Sequence, residues 1–246
     1  MNILKQISLS IITMSLFCFM SLIQGMQSTS PEQSTSFEDE QESPFEGFEN
    51  FVNRAMVAHH VPGTSIAFIK GDKIAYANGF GHRDLENKLP VTPETIFAIG
   101  SCTKAFTATA LGMLVDQGKL DWDTPIKQYL PGFAMYDKET TEKLSLRDCL
   151  CHRSGLPRYD CLWNGNRFKS RAELVATLRY LKPNAGFREK YQYNNLMYTL
   201  AGYVLETISG KSWDAFIQEN ITKPLGMNGT CFFASVVPTH SNAALE

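Results

Sequence analysis

Ser101 and Lys104 stand three residues apart in FAIGSCTKAFTATALGMLVDQGKLDWDTPIKQYL, residues 97–130. A serine hydroxyl becomes a useful nucleophile beside a base. A lysine can act as that base when burial or a second cation lowers its pKa. Residues three apart are neighbours on a helix, so this chemistry needs a helix here. The spacing predicts one over 102–117, with Phe106, Ala110, Met113 and Leu114 on one face and Gly118 as the stop. Ser101 then falls at the helix start, where the positive end of the dipole favours an alkoxide. Four letters decide little alone, since S-x-x-K arises about once by chance in a chain of this length. The predicted helix is apolar nearly all round, however, and a buried helix with one lysine beside one serine needs a chemical reason.

Two other groups compete for roles. His152 invites a Ser-His-Asp triad, histidine being the commonest general base. No G-x-S-x-G elbow presents a serine to it, and a loop or core histidine is the plainer reading. Tyr193-Asn194-Asn195 by itself reads as a turn capping the next helix.

The elements that must hold these residues follow from patterning. Phe48, Val52, Ala55 and Met56 form an amphipathic first helix, with a capping box and helical proline at Ser43-Pro44-Phe45-Glu46. Apolar runs 64–69 and 73–80 flank Gly71-Asp72, a two-residue hairpin turn. Short helices are expected over 144–151 and around Leu174, Leu178 and Leu181. A longer one should run from Asn195 to Ser209, ended by Gly210, with Ser212 capping the next. The order is a hairpin and then a largely helical stretch.

The chain has 246 residues, 43% hydrophobic and 20% charged, with a formal charge of −2, an ordinary globular composition. No basic stripe suggests nucleic acid. Residues 1–25 read as a cleavable signal peptide, or else as an N-terminal anchor attached to a membrane through the uncharged run 7–23. Residues 26–43 are polar and acidic, as in a disordered linker, and the folded domain is expected over 44–246. Without Cys18, five cysteines remain in the exported chain, allowing one disulfide of unassigned pairing. Cys149-Leu150-Cys151-His152 has poor metal spacing and lacks a second ligand pair, so no metal is expected.

Together these segments resemble the serine beta-lactamase and penicillin-binding-protein family, nearest to class C beta-lactamases and the related esterases and D-alanyl-D-alanine carboxypeptidases. Ser101-x-x-Lys104 resembles the nucleophile motif, His152-Arg153-Ser154-Gly155-Leu156 the H-[TR]-S-G-L segment, and Tyr193-Asn194-Asn195 the Y-x-N motif. Pro224-Leu225-Gly226-Met227 with Thr230 resembles P-L-G-M-x-x-T, and order and spacing match from Phe51 to Phe233. The resemblance implies an α+β, beta-lactamase/transpeptidase-like fold, an antiparallel sheet flanked by helices. It implies Ser101 as acylated nucleophile, Lys104 as base or electrostatic partner and Tyr193 as proton shuttle. Asn195 would bind Lys104 and the substrate amide, and no cofactor is implied. Ordinary tyrosine ionises near pH 10, so Tyr193 would need a cation such as Lys104 beside it. His152 would belong to a structural loop.

One departure is expected. The family's K-T-G or H-x-G strand motif has no counterpart before Glu246, so the reading is of a domain lacking its C-terminal strands and one oxyanion-hole donor. Two functions stay open: an exported, periplasmic or secreted serine acyl hydrolase, and a catalytically silent fragment or binding protein. Small-molecule or peptidoglycan-like acyl compounds, whether beta-lactam, stem peptide or ester, are the expected substrates.

Overall fold

Gly71 and Asp72 turn the chain between two apolar runs, and Gly71 adopts φ +64°, which a residue without Cβ accepts readily. β1 (Gly63–Lys70) and β2 (Lys73–Asp84) pair antiparallel from Gly63↔Gly81 to Lys70↔Lys73, with an irregularity between Phe68 and Ile69. β3 (Leu89–Pro90) adds to the far side of β2, giving the order β1-β2-β3. Gly81 is required where the strands meet: it has φ +69°, and a Cβ there would lie 2.2 Å from the Pro62 carbonyl oxygen. Helix α1 (Phe48–His59) packs by Val52 and by Phe48, whose ring meets Phe68 and Tyr76 edge-on at 5.3 and 5.6 Å. The structure, a computed structural model, describes residues 45–162, 168–232 and 241–244. The capping-box residues Ser43 and Pro44, and the expected signal and linker, lie outside them. Residues Gly47–Glu246 cluster as one compact unit.

Beyond the hairpin the chain is helical. A 3-10 turn (Gly100–Cys102) leads into α2 (Thr103–Asp116). Then follow α3 (Ile126–Tyr129), α4 (Lys138–Lys143), α5 (Leu146–Leu150), α6 (Arg171–Thr177), α7 (Asn195–Ser209) and α8 (Trp213–Ile217). α7 is central, meeting α2, α3, α5, α6 and α8. Its Leu196, Met197, Leu200, Ala201, Val204 and Leu205 are fully buried. This is the architecture expected from the sequence, a small antiparallel sheet with helices.

The buried face of α2 is rotated from the expected one. Thr107, Ala110, Leu111 and Leu114 are buried, whereas Phe106 and Met113 are only partly so. A helix apolar all round carries almost no periodic signal, so its inward face is chosen by its neighbours. At the other end of the chain, Ala243 forms a parallel bridge with Ile96, and Asn242 accepts from Ile96 N–H and from the Thr95 hydroxyl. The tail thus holds the strand-like approach to Ser101. All five described cysteines are free, so the disulfide that their number allowed is not formed among them. Cys149 is buried, and desolvation followed by the Asp148 charge pushes its thiol well up, away from the thiolate.

Candidate active site

Ser101 sits in the 3-10 turn and Lys104 in the first turn of α2, so helical geometry alone brings them together. Tyr193 and Asn195 arrive from far along the chain, at the start of α7. Asn194 fixes that start. Its side chain accepts from Met197 N–H, capping the helix, and donates to the carbonyls of Leu156 and Pro157 at 3.2 and 2.7 Å. One buried asparagine thus ties the segment after His152 to the helix start that Tyr193 and Asn195 flank.

The four residues singled out by the sequence converge. Lys104 Nζ donates to Tyr193 Oη at 2.6 Å, Asn195 Oδ1 at 2.7 Å and Ser101 Oγ at 3.1 Å. Ser101 Oγ lies 2.5 Å from Tyr193 Oη. An ammonium has three N–H donors and no acceptor, and these three oxygens match them one for one. Lys104 is engaged by all three oxygens, and the Tyr193 oxygen, at 2.5 Å, is the group nearest Ser101 Oγ. The Lys104 hydrogen bond, then the Ser101 hydrogen bond, hold the Tyr193 phenol below the usual tyrosine value, with the Lys104 and Arg158 charges adding in the same direction. The Arg158 guanidinium stands 5.2 Å from the Tyr193 ring centroid, while its Nε donates to Asp160.

Several contributors have weak sequence signals. Asp148 is fully buried and accepts from Arg153 Nε at 2.6 Å, from Arg188 Nε and Nη2 at 2.8 Å each, and from Ser145 N–H and Oγ–H. Burial would raise its carboxyl, but Arg188, Ser145 and Arg153 outweigh that and hold it below the ordinary value. The Ser145-x-x-Asp148 capping box was a visible signal, whereas nothing local marks the two arginines. A backbone ladder runs beside this carboxylate: Arg188 N–H donates to Arg153, Asn184 N–H to Gly155 and Gln192 N–H to His152. Gly155 is needed there, since a Cβ would meet Ala185 O at 2.5 Å. His152 lies in this loop, buried, its Nδ1 accepting from Asn194 N–H. The hydrogen bonds of Ser101 Oγ among the described residues go to Tyr193 and Lys104, so the triad reading of His152 gains no support.

Known proteins resemble this chain in sequence and in fold. The family described as Beta-lactamase matches residues 48–245. Unguisins hydrolase ungD' of Aspergillus campestris is 37% identical over 191 residues, 74% of this chain and 35% of its own. The octameric penicillin-binding protein homologue from Pyrococcus abyssi superposes with TM-score 0.70 at 33% identity, covering 82% of this chain and 47% of that one. A class C beta-lactamase superposes with TM-score 0.68 at 24% identity, covering 81% and 53%, a likeness of fold alone. The chain therefore spans about a third of the length of the curated relatives it matches.

Proposed function

Since this chain belongs to the beta-lactamase family, we propose that it is a serine acyl hydrolase acylated on Ser101. The observation that carries this reading is the 2.5 Å approach of Ser101 Oγ to Tyr193 Oη beside a Lys104 whose donors are all engaged. In the first step Tyr193, as phenolate, takes the Ser101 proton while Oγ bonds to the substrate carbonyl carbon. Lys104 remains an ammonium and stabilises the phenolate. The tetrahedral intermediate collapses, its bond to the leaving nitrogen or oxygen breaks, and Tyr193 returns the proton to that atom. Water then repeats the sequence on the acyl-enzyme, with Tyr193 again the base. Asn195 holds Lys104 through Oδ1 and offers its Nδ2 to a substrate carbonyl.

The substrate belongs to the class of beta-lactams, stem peptides and simple esters, which share this acyl chemistry and differ by pocket walls. Export through residues 1–25, cleaved or retained as an anchor in 7–23, belongs to the same reading. The test is incubation with a fluorescent fluorophosphonate or penicillin, then peptide mass mapping. A single adduct on Ser101 is expected. Labelling that persists in Ser101→Ala would overturn the assignment. An adduct that forms but never hydrolyses would identify an acyl-accepting protein without turnover.

A further inference from the structure

His152 takes no part in this acyl transfer, yet it touches Tyr193 and both of its chain neighbours. Its carbonyl accepts the Gln192 N–H at 2.7 Å. Its Nδ1 accepts the Asn194 N–H at 3.1 Å. Its ring lies against the Tyr193 ring, centroids 4.6 Å apart and planes 38° apart. Both chain neighbours of Tyr193 are thus bound to one residue, and the tyrosine ring between them rests on the imidazole. His152 achieves this at φ +56°, a left-handed setting that a residue with a Cβ keeps only where its surroundings over-determine it.

A ring nitrogen that accepts an N–H is unprotonated. The groups around the ring favour that state. Lys104 approaches from α2, Tyr191 and Tyr193 from the segment before α7, and Tyr198 from α7. Its own segment brings Asp148, Cys149, Cys151 and Arg153, and the Asp148 carboxylate is already committed to Arg153 and Arg188. Burial, then the Lys104 charge, lowers the His152 pKa.

We propose that His152 is the positioning residue for Tyr193: its neutral imidazole and its carbonyl set the Tyr193 hydroxyl within reach of Ser101 and Lys104, and protonating the ring releases it. The inference rests on Tyr193 being the proton acceptor. Displacing a reacting group by about 1 Å costs on the order of 10²-fold. Removing either half of the His152 contact should therefore slow Ser101 acylation about 10- to 100-fold, in kcat rather than KM.

The experiment reads Tyr193 directly. Its phenolate absorbance is titrated in the full chain, assigned by subtracting Tyr193→Phe. His152→Phe keeps a ring without an acceptor, and His152→Asn keeps an acceptor without a ring. In both, the Tyr193 titration should move up toward that of free tyrosine as its contact with Lys104 loosens. An unchanged titration in variants that melt like the parent overturns the proposal. Should neither variant fold, histidine-labelled NMR of the unmodified chain takes their place. His152 should show an unprotonated Nδ1, and the Tyr193 ring signals should shift as it protonates. Ring signals indifferent to that titration overturn the proposal. A Tyr193 that responds to His152 while Ser101 resists fluorophosphonate overturns the hydrolase reading and leaves the positioning contact standing.

Discussion

Leu111 on α2 and Ile74 on β2 are aliphatic side chains of equal size; the first is 0% exposed and the second 70%. They stand for two halves of the domain. The helical half closes around α7 with a continuous core of leucine, methionine and alanine. The hairpin and α1 leave Phe51, Val57, Ile69 and Ile74 largely exposed, and β1 pairs on one edge only among the described residues. Every residue of the candidate site belongs to the helical half. Core and chemistry coincide there because Ser101 and Tyr193 sit just before α2 and α7, which pack against each other in that core. The hairpin supplies apolar surface and an edge that can template pairing with another strand.

The largest expected effect tests this division through chemistry. Ser101→Ala should lower acylation by about 10⁴-fold or more, as loss of a serine nucleophile does elsewhere. Ile74→Lys should leave acylation within about twofold. Comparable losses in both, measured by the rate of fluorophosphonate labelling, would break the contrast between the halves.

Next in size, Lys104→Ala and Tyr193→Phe should each cost about 10²–10⁴-fold in acylation. The double variant should lose little more than Lys104→Ala alone, because the two share one proton path; additive losses would separate them. On the proposed mechanism acylation uses the Tyr193 phenolate, so the rate should rise with pH through a titration below that of free tyrosine. Lys104→Ala removes the largest cause of that lowering and should shift the limb to higher pH.

Stability should divide in the same way. Leu111→Ala is expected to cost about 2–5 kcal/mol by chemical denaturation, against about 0.5 kcal/mol or less for Ile74→Ala. Equal costs would mean that the hairpin face is buried in solution. Ile74→Lys should raise the soluble yield of the chain expressed from residue 44 onward.

Asp148→Asn, within the helical half, should cost about 2–3 kcal/mol. Loss of one partner in a buried ion pair costs more than this, but Arg153 and Arg188 are more than a third exposed and can turn to water. Because the carboxyl is depressed in the folded state, its contribution is present above the unfolded value near pH 3.9 and lost as pH falls through the lower folded one. Asp148→Asn should flatten the acid unfolding limb below about pH 4, and an unaltered limb would place the acid sensitivity elsewhere.

Much of this was legible from local pattern. The Gly71-Asp72 hairpin, the Asn195–Ser209 helix with Gly210 behind it and the Ser212 cap all follow from rules reaching a few residues, and all appear as expected. Ser101, Lys104, Tyr193 and Asn195 were readable through their motifs, and the fold brings them together. What sequence did not show is long-range and polar. Arg188 is 40 residues from Asp148, and nothing in its neighbours marks the pairing. The inward face of α2 was misjudged because its apolar residues have no preferred side.

The ladder that joins residues 152–155 to 184–192 has a kinetic consequence. Three backbone hydrogen bonds and a shared Asp148 link two segments that have no helix or strand of their own, so they should open and close together as one local unfolding unit. In amide hydrogen exchange, Arg188, Asn184 and Gln192 should therefore exchange with one common opening free energy, lower than that of Leu200 in α7. Each such opening should carry the adjoining Tyr193 away from Ser101 while α2 stays folded, and the population of that open state would then set the fraction of molecules that are folded and silent at any instant.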